Sequence, residues 1–169
     1  MTVEELAHAA VFEHGAAQKE QELYGLIEFL RSRSPLSPLR RVIEIGCQDC
    51  GTLWLWSQLA TDDAVIVGLD VGFRSPVAHA RAQQQTTLIE ADSHLDITRS
   101  HVASIVDVDI DLLFIDGDHT FAGVNRDWDL YSPLVRPGGL VVLHDIYQHS
   151  TPEFSEVRQL WTLLCTTHA

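Results

Sequence analysis

Residues 41–52, RVIEIGCQDCGT, hold the local pattern that decides the fold of this chain. The apolar run Arg41–Ile45 predicts a buried strand, and a turn bounded by Gly46 and Gly51 leads into a helix-favouring stretch from Thr52. A glycine turn between a strand and a helix lets a nucleotide-like ligand approach free backbone amides at the positive end of the helix. A plain packing turn explains the two glycines almost as well, so this stretch alone predicts the strand–turn–helix unit and leaves its ligand open.

The remainder of the chain repeats the alternation of strand and helix. Four further short apolar runs predict strands at 64–69, 86–89, 111–115 and 140–143. Helix-favouring stretches begin near Thr52, Pro76, Asp96, Phe121 and Pro152. The strand runs do not alternate with polar residues, which is typical of strands covered on both faces. We therefore predict an α/β domain with a doubly wound, mostly parallel sheet that binds ligands at the carboxyl ends of its strands.

A helical leader precedes this core. Apolar residues in 16–33 recur at the helical spacing i, i+3, i+4, i+7, and Pro35 then ends the predicted helix. The length of 169 residues corresponds to one domain, with the leader at 1–38 and the core at 39–169. Residues 137–139, Pro-Gly-Gly, predict a junction between a helix and the last strand.

Acidic residues dominate the charge, because 24 Asp and Glu against 11 Lys and Arg give a formal net charge of -13. Such a surface repels phosphate backbones and anionic lipid, so neither nucleic acid nor a membrane is an expected partner. No apolar run approaches the roughly 20 residues that cross a bilayer, and no basic segment precedes an apolar stretch at the start. The three cysteines are too few for a disulfide framework and are expected to be reduced thiols. We therefore expect a soluble, cytoplasmic protein.

Acidic residues also follow the second and third predicted strands. Asp70 stands about twenty residues after the glycine turn, where such folds bind ribose hydroxyls. Asp92 and Ser93 follow the third strand, where they can either meet an adenine amino group or cap the next helix. The turn is not G-x-G-x-x-G and no Walker lysine follows it, which argues against NAD and ATP.

The fourth and fifth strands carry the strongest local signal. Residues 114–120, FIDGDHT, bring Asp116 and His119 out of one buried strand, and His144 with Asp145 leaves the neighbouring strand. Asp116, His144 and Asp145 together predict a three-ligand divalent-metal site with open positions for substrate oxygens and water. The alternative is structural, with Asp145 as a helix cap and His144 as a buried, hydrogen-bonded histidine.

The same residues carry a family resemblance that extends over residues 41–165. The run FIDGDHT, continued by Asp127, Tyr131, Pro-Gly-Gly at 137–139 and His-Asp-Ile at 144–146, resembles the class I S-adenosylmethionine-dependent methyltransferases. Within that superfamily the chain is similar to the metal-assisted group that contains macrolide and sugar O-methyltransferases and the cephalosporin hydroxylase-like proteins. The resemblance implies S-adenosylmethionine as cofactor, with magnesium, manganese or another divalent metal.

The resemblance also implies a role for each matching residue. The predicted cofactor-binding residues are Glu44, Gly46, Cys47 and Gly51 at the methionine and ribose end, Asp70 at the ribose, Asp92 and Ser93 at the adenine, and Asp116. The implied metal ligands are Asp116, His144 and Asp145, the implied catalytic base is His119, and Asp118 is the reserve base. His144 stands where magnesium-binding relatives often have an acidic residue, and this difference brings manganese, iron and zinc into consideration.

The predicted activity is O-methylation of a small-molecule hydroxyl on a sugar, a macrolide or another natural product. An oxygen acceptor is favoured because Asp116-Gly117-Asp118 is unlike the Asn or Asp followed by two prolines of N-methyltransferases. Enzymes of this class usually continue into a terminal antiparallel strand pair, which the residues after the last predicted helix do not supply. The last strand is therefore expected to be a sheet edge that favours a homo-oligomer or leaves the domain inactive.

Three rival interpretations remain at this stage. The chain could be a non-catalytic binding or assembly subunit built on a methyltransferase-like domain. The pair Cys47 and Cys50 forms a C-x-x-C at a helix start, which is also typical of thiol redox proteins. His144, Asp145 and His149 could belong to a zinc hydrolase, but no H-E-x-x-H spacing is present.

Overall fold

The computed structural model describes residues 1–33, 38–74, 84–107, 109–147 and 156–167. Six α-helices are present in these ranges: α1 (Val3–His8), α2 (Glu20–Arg33), α3 (Gly51–Leu59), α4 (Asp96–Val106), α5 (Phe121–Tyr131) and α6 (Val157–Thr167). The five strands are β1 (Arg41–Ile45), β2 (Val65–Asp70), β3 (Gln85–Glu90), β4 (Ile110–Ile115) and β5 (Val135–Leu143). One π-helical turn, Ala9–Glu13, extends α1, and one 3-10 turn, Ser132–Leu134, follows α5.

The strands form one parallel sheet in the order β3-β2-β1-β4-β5. This arrangement confirms the predicted doubly wound α/β fold. The chain adds β2 and β3 on one side of β1 and then returns to add β4 and β5 on the other side, so the switch point lies between β1 and β4. Successive residues of β1 face opposite layers: Val42 packs against α1, α2 and α3, whereas Ile43 packs against α4, α5 and α6. Both faces of the central strands are covered, which explains why their sequences are mainly apolar and do not alternate with polar residues.

The leader is built differently from its prediction. Helix α2 begins at Glu20 rather than near residue 16, and the additional helix α1 precedes it. Thr2 and Glu5 form a reciprocal capping box at the start of α1, and this spacing is a sequence signal for a helix start that the prediction did not use.

The last strand also differs from its prediction, because it begins at Val135 and includes residues 137–139. The pairing of β4 with β5 shifts there, from Ile110 opposite Val135 to Leu112 opposite Leu140. Gly138 takes a positive φ of 79° in this bulge, so the Pro-Gly-Gly sequence marks an irregularity within the strand instead of the end of a helix.

Two predicted helix starts, near Pro76 and Pro152, lie outside the described residues. Among the described helices, none combines the length and the apolar character that crossing a bilayer requires.

Candidate active site

The carboxyl ends of the central strands surround a cavity of about 510 Å³. Backbone hydrogen bonds continue past the strand ends and hold the connecting segments in place: Asp116 N donates to Ile45 O at 2.8 Å, and Gly46 N donates to Leu69 O at 2.8 Å. The predicted site residues that line the cavity are Gly46, Asp70, Asp92, Ser93, Asp116 and Asp118. The volume lies within the range of about 300–1,000 Å³ that is typical of small-molecule and cofactor sites.

Gly46 brings the first turn against the end of β4. Its φ is +85°, and a Cβ atom at this position would lie 2.1 Å from the carbonyl oxygen of Asp116. Only glycine fits such an approach, so the turn is built for close contact between two strand ends.

Gly51 and Cys47 occupy a different position from the one predicted. Neither is among the residues that line the large cavity; both border a narrow cleft of about 10 Å³ between the turn and residues 15–18. A Cβ atom on Gly51 would lie 2.1 Å from Ala16 N, so this glycine allows the leader to pack on the start of α3.

Asp70 holds the glycine turn in place. Its Oδ2 accepts hydrogen bonds from Cys47 N at 2.7 Å and Gln48 N at 2.9 Å, and its Oδ1 accepts one from Gly72 N at 3.0 Å. The carboxylate that was predicted to bind ribose hydroxyls therefore also shapes the cavity wall.

Glu44 lies inside the protein and not at the cavity surface. Its carboxylate is fully buried and accepts hydrogen bonds from Thr52 Oγ1 and Trp56 Nε1 of α3. Burial outweighs these hydrogen bonds and raises the pKa of Glu44 to about 8. The placement argues against the predicted cofactor contact, because α3 occupies both carboxylate oxygens.

The turn after β3 is held by polar contacts within the protein. Asp92 Oδ1 accepts a hydrogen bond from His94 N at 2.9 Å, and Ser93 O accepts one from the Tyr131 hydroxyl at 3.0 Å. The N-cap of α4 is Leu95, so neither Asp92 nor Ser93 has the alternative capping role considered from the sequence. Behind the turn, burial raises the pKa of Asp127 to about 6, and its Oδ1 lies 3.7 Å from His94 Nε2.

The predicted metal ligands converge at the end of β4 and β5. One potential ligand atom each from Asp116, His144 and Asp145 lies within 4.8 Å of the others. Asp116 Oδ1 is 3.0 Å from His144 Nδ1 and 3.1 Å from His119 Nε2, and His119 Nδ1 is 3.4 Å from Asp145 Oδ2. Two carboxylates and an imidazole form a donor set that fits a divalent ion, and the imidazole favours a transition metal over magnesium.

The contacts within this cluster favour an ionised Asp116 and protonated His119 and His144. Burial opposes ionisation of Asp116, but hydrogen bonds with His119 and His144 outweigh it and hold the pKa of Asp116 below its usual value. The hydrogen bond with Asp116 raises the pKa of His119. For His144, burial acts in the opposite direction, but Asp116, Asp145 and Glu22 together raise its pKa.

Asp118 is less well placed than His119 to act as a base at the cluster. Its Oδ1 accepts a hydrogen bond from Thr120 N at 2.9 Å, and its carboxylate packs against Gly123. His119, which contacts Asp116 and Asp145 directly, is the stronger candidate.

The leader contributes residues that the sequence reasoning missed. Gln18 Nε2 donates a hydrogen bond to Asp116 Oδ2 at 2.6 Å, and Glu22 Oε2 lies 3.5 Å from His144 Nε2. Both residues also line a second cavity of about 170 Å³, which we call the α2–β5 pocket. Its lining consists of Gln18, Lys19, Glu22, Leu23, Leu26, Phe114, Val142, Leu143, His144, Asp145, Ile146 and Tyr147.

The sheet order, the glycine turn after β1 and the acidic strand ends define a Rossmann-like α/β domain with a cavity at the switch point between β1 and β4. Residues 43–146 match the family model described as "Methyltransferase domain". This match spans more than half of the chain, and the protein belongs to that family. The sequence matches no curated protein.

Solved structures with the same fold include three methyltransferases. MycE of the mycinamycin biosynthetic pathway, in complex with Mg, SAH and mycinamycin VI, is 20% identical with a TM-score of 0.72. The match covers 99% of this chain and 48% of the MycE chain. TomG from Streptomyces achromogenes, an O-methyltransferase of tomaymycin synthesis in complex with SAM, is 16% identical with a TM-score of 0.62, covering 98% and 78%. CalS11, a TDP-rhamnose 3'-O-methyltransferase of calicheamicin biosynthesis, is 15% identical with a TM-score of 0.60, covering 99% and 86%. The chain thus spans about half the length of MycE.

Proposed function

We propose that this protein is an S-adenosylmethionine-dependent O-methyltransferase that acts on a hydroxyl of a small natural product such as a sugar or macrolide. The observation that carries the proposal is the cluster of His119 with Asp116, His144 and Asp145, in which Asp116 lines the large cavity and His144 and Asp145 line the α2–β5 pocket. A methyl donor in one cavity and an acceptor in the other would meet at this cluster.

The fold and the comparisons support the choice of cofactor and metal. MycE is described in complex with Mg and SAH, and TomG in complex with SAM. We propose that Asp70, Asp92 and Ser93 bind the nucleoside of S-adenosylmethionine, that Gly46 lies against its methionine end, and that Asp116, His144 and Asp145 hold the divalent ion. When bound, the cofactor would supply the methyl group and the ion would lower the pKa of the acceptor hydroxyl.

The protein's own residues would position the reactants and move the proton. His119 would take the proton from the acceptor hydroxyl. Asp116 Oδ1, at 3.1 Å from His119 Nε2, would keep the ring oriented, and Nδ1 would be the nitrogen that takes the proton. Holding donor and acceptor in line accounts for much of the rate in such a transfer.

The rival interpretations have less support. Burial raises the pKa of Cys47 well above its usual value, which disfavours the reactive thiolate that a redox protein needs. A non-catalytic subunit would not need a histidine between two carboxylates beside two cavities. A small-molecule acceptor in place of nucleic acid, a cytoplasmic location and a homo-oligomer remain predictions, the first two supported by the net charge of -13 and the free cysteines.

Titration calorimetry with S-adenosylhomocysteine, followed by a methylation assay on a panel of sugars, macrolides and polyphenols with and without Mg²⁺ or Mn²⁺, tests the proposal. We expect cofactor binding and metal-dependent transfer to an acceptor oxygen. Absence of binding heat would refute the proposal.

A further inference from the structure

We infer that the α2–β5 pocket admits acceptors with an apolar body and no phosphate, and that Glu22 sets this preference. The inference rests on the proposed function, because it assigns the acceptor to the cavity beside the catalytic cluster. It goes further by separating two kinds of hydroxyl-bearing substrate: neutral glycosides and phosphorylated or nucleotide-linked sugars.

The wall of the pocket is apolar. Its apolar lining residues come from α2, β4, β5 and the segment after β5: Leu23, Leu26, Phe114, Val142, Leu143, Ile146 and Tyr147. Tyr147 is 73% exposed at this wall, so a large aromatic surface is left open to solvent. Each methylene that a ligand buries against such a wall strengthens binding by about fourfold.

One unpartnered polar atom belongs to a residue that lines the same pocket. Gln18 is 7% exposed, and its Oε1 is buried without a hydrogen-bond partner among the described residues. His144 Nε2 is also buried, but it lies 3.5 Å from Glu22 Oε2 and is paired with that carboxylate. Buried polar atoms are normally paired, so Gln18 Oε1 indicates a ligand that donates a hydrogen bond, as an alcohol does.

The charge of the pocket disfavours phosphate. Glu22 stands on its lining, and the one lysine there, Lys19, has its Nζ 3.1 Å from Glu22 Oε1. No arginine is among the described lining residues, and residues 148–155, which follow Tyr147 in the sequence, contain neither lysine nor arginine. Phosphate recognition usually depends on arginine or on unpaired lysine, and a carboxylate on the pocket lining repels the group.

Three glucose derivatives separate the two parts of the inference. Hexyl glucoside, methyl glucoside and glucose 1-phosphate are titrated calorimetrically into the full chain saturated with S-adenosylhomocysteine and Mg²⁺. We expect hexyl glucoside to bind at least about tenfold more tightly than methyl glucoside, and methyl glucoside to bind more tightly than glucose 1-phosphate.

Glu22→Gln should narrow the gap between methyl glucoside and glucose 1-phosphate by at least about threefold. Glu20→Gln is the matched control, because Glu20 lies on the same helix but pairs with His8 at 3.2 Å and does not line the pocket. Equal or tighter binding of glucose 1-phosphate, or an unchanged gap in Glu22→Gln, would overturn the inference. Failure of all three sugars to bind while S-adenosylhomocysteine still binds would overturn it and leave the proposed function standing; loss of S-adenosylhomocysteine binding would overturn both.

Discussion

Replacing Glu44 by glutamine should make the protein more stable at pH 8 and remove part of its pH dependence. Glu44 is fully buried, and both of its carboxylate oxygens accept hydrogen bonds from α3. A glutamine has the same shape, with its oxygen able to accept from Trp56 Nε1 and its amide nitrogen able to donate to Thr52 Oγ1. The substitution therefore keeps the packing and the hydrogen bonds but removes the buried charge.

The magnitude follows from the difference in pKa between the two states. In the unfolded chain Glu44 ionises near 4.5, whereas burial raises its pKa to about 8 in the folded protein. Between these values the folded state binds more protons than the unfolded state, so its stability falls as the pH rises. At about 1.4 kcal/mol per pH unit, the full penalty reaches at most about 5 kcal/mol by pH 8.

Urea unfolding at pH 5, 6.5 and 8, followed by tryptophan fluorescence, measures this penalty. The stability of Glu44→Gln minus that of the natural chain should be small at pH 5 and grow to several kcal/mol at pH 8. His119 and His144 are present in both proteins, so their contributions cancel in the difference. Glu13→Gln, at an exposed position, is the control and should give a constant difference near zero. A difference for Glu44→Gln that is the same at all three pH values would refute the reasoning.

Four further substitutions test the site. His119→Ala should retain S-adenosylhomocysteine binding in calorimetry but lower kcat by about 10²–10⁴-fold; full turnover would remove it as the base. Asp145→Ala should abolish the stimulation of activity by added Mg²⁺ or Mn²⁺, and a retained metal dependence would exclude it as a ligand. Gly46→Ala should lower the free energy of unfolding by at least about 2 kcal/mol, because its Cβ would meet Asp116 O at 2.1 Å; an unchanged urea midpoint would contradict this. Asp70→Asn should weaken S-adenosylhomocysteine binding by about tenfold or more, and an unchanged Kd would show that Asp70 does not bind the ligand.

Much of the fold was predictable because β1, β2 and β4 are short, mainly apolar runs between polar segments. The sheet buries both faces of its central strands, so Arg41–Ile45 and its counterparts stand out from the sequence. The bulge in β5 was missed, since Pro-Gly-Gly at 137–139 also fits a helix end, and only the pairing of Ile110 with Val135 shows that the strand begins earlier.

The site was predictable where residues follow a strand directly. Asp116, His144 and Asp145 come together because β4 and β5 are neighbours in a parallel sheet. Gln18 could not be predicted, because it lies 98 positions from Asp116 and no periodic pattern links the leader to the sheet edge. The sequence also placed Glu44 at the cofactor, whereas its carboxylate is bound by Thr52 and Trp56 of α3. Which face of α3 turns toward β1 cannot be read from the sequence.

The strand order also has a consequence for biosynthesis. Of the five strands of this sheet, β1 leaves the ribosome first, and it lies at the centre of the sheet, with Val42 paired to Ile66 on one side and Leu112 on the other. Until β4 has been translated, the nascent chain contains only β1, β2 and β3. The side of β1 that later pairs with β4 then has unpaired backbone hydrogen-bonding groups and exposed apolar side chains. The delay between the synthesis of β1 and that of β4 slows folding, and it allows exposed strands of nascent chains on the same polysome to pair with each other. We expect the yield of native protein to depend on chaperone capacity and on translation speed between β2 and β4.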